Sequence, residues 1–187
     1  MSHIIQQLQR DHRNAARLLD ILDEYLLALP EQSSLDHIRM LDVMRYMTDY
    51  PDLFHHPRED LVLQRLVKRD PTAREAAHEI LEEHQVIAEK GKRFWQRLRA
   101  VVNIPELSTE AVASHGRDYV TAMRRHMQKE ESSIFPQAKA TLTAADWAEI
   151  EHAMEARRDP LFGEEVEAEY EALYHYINAL SEGSLER

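Results

Sequence analysis

The most constraining feature of this sequence is the recurrence of apolar residues every three or four positions over four long stretches. Residues at this spacing share one face of an α-helix, whose period is about 3.6 residues. No stretch shows the alternation of apolar and polar residues that is typical of a half-buried β-strand. The sequence therefore predicts an all-α protein in which each long helix buries one face.

The first two stretches predict a helix over residues 2–29 and a second helix that begins at Ser33 or Ser34. Pro30 ends the first helix, because proline cannot continue the hydrogen-bond ladder. Pro51 and Pro57 lie inside the second helix, where they predict a kink or a local bulge. The predicted core-facing residues are Ile5, Leu8, His12, Ala15, Leu19, Leu22, Leu26 and Leu29, followed by Ile38, Leu41, Arg45, Thr48, Asp52, His55, Glu59, Val62 and Leu66.

The third predicted helix begins at the capping box Thr72-Ala-Arg-Glu75, and the fourth is capped by Ser108. Gly91 on the face of the third helix predicts a close approach between helices, and Pro136 kinks or ends the fourth helix. The predicted core-facing residues are Ala77, Leu81, His84, Ala88, Gly91, Trp95, Leu98 and Val102, followed by Val112, His115, Tyr119, Met123, His126, Glu130 and Ile134.

Four long helices joined by short loops favour an up-down-up-down four-helix bundle. Thr143-Ala-Ala-Asp146 begins a short fifth helix, a turn follows at residues 159–163, and a last helix runs over about residues 164–180. We therefore expect a bundle over residues 1–140 and, over residues 141–187, an extension of one or two additional C-terminal helices packed on it.

Composition excludes several classes of function. The chain has no cysteine, which rules out disulfides, thiolate metal sites and cysteine nucleophiles. Its net charge of −11 argues against nucleic acid as a partner, because phosphate binding needs a basic surface. No run reaches the roughly 20 apolar residues of a membrane span, and the first residues do not resemble a signal peptide. We expect a cytoplasmic protein that binds no membrane.

Histidine is unusually frequent, with 11 residues. Each long helix carries one on its predicted core face: His12, His55, His84 and His126. Glu59 and Glu130 follow His55 and His126 by four residues, so each pair shares a helix face. A single such histidine is more often a hydrogen-bonded core residue, but six residues on four faces favour a metal site. Imidazole and carboxylate ligands suit iron, manganese or zinc.

These residues resemble the hemerythrin-like (HHE) cation-binding family over about residues 1–140. The resemblance lies in Asp11-His12, His55-His56-Pro57-Arg58-Glu59-Asp60, Glu83-His84 and His126-Met127-Gln128-Lys129-Glu130-Glu131. It implies a pair of non-haem iron ions, with the four histidines as terminal ligands and with Glu59, Glu130 and an oxo group as bridges. Zinc or manganese are alternative metals.

The chain departs from the family pattern of five histidines, because Ile80 stands where a second histidine would precede His84. Either His56 or a water molecule is expected to supply the missing ligand. Glu131 is an alternative to Glu130 as the bridge, and Asp60 is expected to face solvent or to support a ligand.

Several functions stay open at this stage. The first is a module that binds or senses dioxygen, nitric oxide or iron, and the second is an enzyme that acts on peroxide or nitric oxide. The third is a bundle with a structural metal and an interaction role, for which the apolar last helix could form a homodimer. A ferritin-like site would instead need Glu-x-x-His strings, which occur at Glu75–His78 and Glu149–His152.

Overall fold

The computed structural model describes residues 3–29, 33–104, 107–154 and 158–183, and these ranges contain helices and turns without a strand. The α-helices are α1 (His3–Leu27), α2 (Ser34–Tyr50), α3 (His56–Arg69), α4 (Arg74–Asn103), α5 (Glu110–Lys129), α6 (Phe135–Thr141), α7 (Ala144–Ala153) and α8 (Glu171–Gly183). Two π-helical segments, Pro51–His55 and Glu130–Ile134, join α2 to α3 and α5 to α6. Short 3₁₀ turns cover Pro71–Ala73 and Ala168–Tyr170.

The π segments join α2 to α3 and α5 to α6, which makes two continuous rods. Together with α1 and α4, these two rods form the four-helix bundle. The helix α4 packs against α5 and α2, and α1 packs against the same two helices from the other side. Neighbouring rods run in opposite directions because short connections join them. This arrangement confirms the predicted all-α up-down-up-down bundle with additional C-terminal helices.

The core consists of two separate apolar clusters. One contains Leu19, Met44, Phe94 and Tyr119 and lies towards the end of the bundle where α1 finishes. The other contains Leu8 and Phe135 with their neighbours and lies towards the opposite end. Between them, the interior of the bundle is polar, and the core faces of the four rods present histidine and glutamate there.

The first π segment explains an error in the predicted face of the second rod. The prediction placed Ile38 and Asp52 towards the core, but both are exposed. The residues buried there are Met40, Val43, Met44, Met47 and Tyr50. In the π segment the N–H of His56 bonds to the carbonyl of Pro51, five residues back, so this wider turn shifts the register of all preceding residues.

The buried face of α4 also differs from the predicted face by one residue over part of the helix. Ile80, Ile87, Phe94 and Val101 are buried where the prediction had Leu81, Ala88, Trp95 and Val102. Ala77, His84, Gly91 and Leu98 are buried as predicted. A Cβ atom built on Gly91 would lie 3.1 Å from both Thr48 Cγ2 and Tyr119 Cε2, which confirms the close approach of three helices there.

Helix ends are set mostly by short polar side chains. Ser33 and Thr143 form capping boxes with Asp36 and Asp146 at the start of α2 and α7. The predicted box at Thr72 is wrong, because Asp70 accepts the backbone N–H of Thr72 instead. Pro136 does not end the fourth rod, which continues through the second π segment to Thr141. The predicted stop at Pro30 lies outside the described residues.

The C-terminal residues pack on both halves of the bundle. Ile150 of α7 joins the cluster of Leu8, whereas Leu161, Tyr170, Leu173 and Ile177 join the cluster of Leu19. The last α-helix begins at Glu171 rather than near residue 164, because a turn and a 3₁₀ segment precede it. The domain boundary near residue 140 stays a prediction. In the described part of the chain no helix is both long and apolar enough to cross a membrane.

Candidate metal centre

Seven polar side chains from all four rods meet between the two apolar clusters. We call them the polar layer: His12, His55, His56, Glu59, His84, His126 and Glu130. All are buried, with exposed fractions between 1% for Glu130 and 8% for His84. The six residues that the sequence pattern favoured as metal ligands therefore lie in one place, together with His56.

The first π segment accounts for the presence of His56. Consecutive residues of an ordinary α-helix diverge too widely for both to point into a narrow core. The wider turn at Pro51–His55 reduces this divergence, and His55 and His56 are both buried against the layer. The ring of His56 stacks on that of His84, with centroids 4.1 Å apart.

Glu59 lies between two sets of histidines. Its Oε1 is 3.2 Å from Nε2 of His55 and 3.6 Å from Nε2 of His12, whereas its Oε2 is 3.4 Å from Nε2 of His84. One carboxylate thus presents one oxygen to each side of the layer, which is the arrangement that a bridging ligand needs.

Glu130 approaches the same space from the opposite rod. Its Oε2 lies 3.3 Å from Nε2 of both His12 and His126, and its Oε1 lies 3.7 Å from Nε2 of His84. Its neighbour Glu131 points the other way, with 36% of its side chain exposed. The structure therefore puts Glu130, and not Glu131, in the layer.

The inward atoms of the layer lack hydrogen bonds among the described residues. These atoms are Nε2 of His12, His56, His84 and His126, both carboxylate oxygens of Glu59, and Oε2 of Glu130. Buried polar atoms without partners are costly, and a bound metal is a common remedy. Two ligands that each lie about 2.1 Å from one ion are separated by about 3.0 to 3.4 Å, which is close to the observed separations. The residues present fit a metal centre.

A carboxylate oxygen lies close to the outward nitrogen of each histidine of the layer, and those beside His12, His55 and His126 form hydrogen bonds. We call these residues the outer carboxylates: Glu131 for His12, Asp11 for His55, Asp52 for His56, Asp60 for His84 and Glu83 for His126. The five Nδ1-to-oxygen distances are 3.1 to 3.3 Å. Such a partner fixes the ring so that Nδ1 keeps the proton and the Nε2 lone pair faces inward.

In the metal-free layer, the histidines and carboxylates shift each other's pKa values strongly. Burial alone would lower the pKa of His12, but the nearby carboxylates of Glu130 and Glu131 raise it well above the usual value. Despite burial, carboxylates raise the pKa of His55 to about 9 and that of His84 to about 11. Burial lowers the pKa of His56. The histidines around Glu59 outweigh its burial and hold the pKa of that carboxyl well below its usual value.

Two overlapping groups of the layer have ligand atoms close enough together to bind one ion each. His56, Glu59, His84 and His126 form the first group, and His12, His55 and Glu59 form the second. Each group offers imidazole nitrogens and a carboxylate, the donors that transition metals such as iron, manganese and zinc accept. The buried His/Glu cluster can therefore hold metal ions.

The other histidines lie away from the layer. His78 and His152 are exposed, His115 is half-buried farther along α5, and His37 is buried against Tyr25, 2.6 Å from its hydroxyl. Glu149, from the ferritin-like string, pairs with Arg65 on the surface. The two Glu-x-x-His strings thus contribute nothing to the interior of the bundle.

Sequence reasoning missed most of the supporting residues. Asp11, Asp52, Glu83 and Glu131 were not assigned to the outward nitrogens, although Asp11 and Glu83 each directly precede a histidine of the layer. Spacing along the chain gave a usable signal only for Asp52, which lies four residues before His56. The pairs from different rods, such as Asp60 with His84, depend on how the helices face each other.

The family model of the hemerythrin HHE cation binding domain matches residues 3–138 of the chain. No curated protein and no solved structure matches the chain. The matched range covers every residue of the polar layer and all of the four rods except the last three residues of α6, and it ends before α7. The chain therefore belongs to the hemerythrin HHE cation-binding domain family.

Proposed function

We propose that the polar layer holds two iron ions and that dioxygen or nitric oxide binds reversibly on the side of His12 and His55. The observation that supports this function is the inequality of the two ligand groups. Three histidines accompany Glu59 in one group, and only His12 and His55 accompany it in the other. The poorer group leaves a coordination position for an external ligand.

The choice of iron follows from the ligand that we propose. Imidazole and carboxylate also accept zinc and manganese, but zinc has no redox chemistry. When bound, a pair of iron ions supplies electrons that dioxygen and nitric oxide can share.

The residues of the chain would control this chemistry by position and by exclusion of water. Glu59 and Glu130 supply negative charge to offset two cations in a low-dielectric interior. The outer carboxylates keep the imidazole rings oriented and raise their basicity. The apolar clusters on both sides of the layer keep bulk water away from a bound ligand.

Metal analysis of protein purified without air, combined with absorption spectroscopy, tests the proposal. We expect two irons per chain and, after oxidation, near-ultraviolet charge-transfer bands of bridged ferric ions. A spectrum that changes with dioxygen or nitric oxide, and reverts when the gas is removed, would support binding. Protein that takes up zinc but no iron would contradict the proposal.

The same preparation separates binding from catalysis. Rapid consumption of peroxide that is lost in Glu59→Ala, but retained in the control His78→Ala, would identify an enzyme acting on peroxide instead. His78 is a suitable control because it is exposed and pairs only with Glu82 on its own helix.

A further inference from the structure

A small cavity borders one side of the polar layer. Its lining includes His12 and His55 of the two-histidine group, together with Met47, Tyr50 and Met123. Its volume is about 10 Å³, close to the space that one water molecule needs. The cavity therefore lies on the side where our proposed function places an external ligand, and it has room for about one water-sized group.

Tyr50 brings an unused hydrogen-bonding group to this cavity. It is the last residue of α2, and only 3% of it is exposed. Its hydroxyl makes no well-aligned hydrogen bond among the described residues. The Arg58 guanidinium interacts with this hydroxyl, but it can only donate a hydrogen bond. The hydroxyl proton of Tyr50 therefore still lacks an acceptor, which a ligand in the cavity would supply.

The hydroxyl of Tyr50 is suited to donate. Burial and the nearby charge of Asp11 and Asp159 raise its pKa above the usual range, although Arg58 partly opposes them. The group therefore stays protonated throughout the physiological range. A neutral donor stabilises an electron-rich ligand without adding a second negative charge to the layer.

The position of Tyr50 depends on a segment beyond the family match. We call residues 158–170 the C-terminal strap. The ring of Tyr50 stacks on Tyr46, with centroids 5.4 Å apart and an angle of 8° between the planes. The hydroxyl of Tyr46 in turn donates a 2.9 Å hydrogen bond to Asp159 of the strap. Phe162 and Tyr170 contact the same Tyr46 ring edge-on.

Asp159 divides its two oxygens between the strap and the bundle. Oδ1 accepts the backbone N–H groups of Leu161 at 2.9 Å and Phe162 at 2.8 Å, which forms the turn. Oδ2 accepts the Tyr46 hydroxyl. The strap is thus linked through Tyr46 to the tyrosine that faces the cavity.

We propose that Tyr50 donates a hydrogen bond to the small ligand bound beside His12 and His55, and that Asp159 acts as a positioning residue for it through Tyr46. This inference rests on the proposed function, because it needs a ligand at that position. It assigns a ligand-binding role to Tyr50 and gives the C-terminal strap a part in the site.

The test uses the full chain loaded with ferrous iron, with nitric oxide as the probe. The infrared N–O stretching frequency is measured in H₂O and in D₂O, because a hydrogen bond from a hydroxyl makes it sensitive to deuterium. We expect a deuterium shift in the wild type that disappears in Tyr50→Phe. Nitric oxide affinity should fall roughly 2- to 12-fold, the value of one net hydrogen bond.

Tyr25→Phe is the matched control. It removes the same hydroxyl from another buried tyrosine, which bonds to His37 near the end of α1 and away from the layer. It should keep both the wild-type deuterium shift and the wild-type affinity. Iron content and the thermal midpoint are measured for each variant, so that loss of metal or of folding is seen separately.

Asp159→Asn tests the strap. The variant can keep Oδ1 for the turn but loses the acceptor for Tyr46, so we expect a smaller deuterium shift with unchanged iron content. If the wild type takes up no iron or no nitric oxide, the proposed function fails. If it binds both, and Tyr50→Phe and Asp159→Asn keep its deuterium shift and affinity, this inference is wrong while the proposed function stands.

Discussion

His55 and His56 are adjacent in the chain, and yet both rings lie buried against the polar layer, with centroids 5.7 Å apart and planes inclined by 67°. This relationship depends on the π segment that ends at His55. It raises the number of histidines in the layer to five, although Ile80 on α4 leaves that helix with His84 alone in the layer.

Replacement of His56 by alanine should weaken metal binding by more than about 100-fold, because loss of an outer supporting residue alone typically costs about 10- to 100-fold. Metal content after dialysis against a chelator measures the effect. His78→Ala should retain wild-type content. Equal metal content in His56→Ala and the wild type would show that His56 only packs beside the site.

Glu130→Ala and Glu131→Ala should differ in metal binding, although the two residues are neighbours in the chain. Glu130 is in the layer, so its loss should remove most of the bound metal. Glu131 supports His12 from outside at 3.1 Å, so its loss should lower affinity about 10- to 100-fold without changing the number of ions at saturation. Isothermal titration with Zn²⁺ measures both quantities. The opposite ranking would assign the bridge to Glu131.

Metal binding should release protons at pH 7. The pKa is about 9 for His55 and about 11 for His84 in the metal-free protein, so both rings are protonated before the ion binds. Affinity for Zn²⁺ should therefore rise with pH. Titration in weak buffer with a pH indicator measures the release, and uptake without any release would contradict the raised pKa values.

The same shifts predict the stability of the metal-free form. A histidine whose pKa is raised by folding contributes its full stabilisation at pH values below its pKa in the unfolded chain, which is about 6.5. This contribution is lost as pH rises through the folded value. The thermal midpoint of metal-free protein should therefore fall between pH 7 and pH 10, and the metal-loaded protein should show a smaller change. Equal changes in the two forms would mean that other groups are responsible.

Gly116→Ala should destabilise the bundle. A Cβ atom at this position would lie 2.6 Å from Leu26 Cδ2 and 3.0 Å from Phe94 Cε2, inside a packed core. Overpacking costs about 1–3 kcal/mol, which exceeds the roughly 1 kcal/mol that alanine gains over glycine in a helix. Urea denaturation should show a net loss of about 1 kcal/mol. A more stable variant would mean that Leu26 moves aside at little cost.

Much of the architecture follows from local sequence patterns. The 3–4 spacing of apolar residues predicts the four rods, because the period of an α-helix is a property of the backbone. The same periodicity places His12, His84 and His126 on buried faces, and it puts Glu59 and Glu130 one turn after a histidine. These residues could be identified from the chain alone, since each relation spans a single turn of one helix.

Other features depended on the tertiary structure. The π segment before His56 shifted the buried face of α2 away from Ile38, because one wider turn changes the register of every residue before it. Asp52 lies within the segment itself and is exposed. The tertiary structure also decided that Glu130, and not Glu131, lies in the polar layer, since the spacing along the helix allowed either residue. The link from Asp159 to Tyr46 spans 113 residues, and such contacts between distant segments leave no periodic pattern in the sequence. The sequence by itself determined the helices and most of the ligands, whereas packing of the rods decided which side chains face the centre and which residues support them.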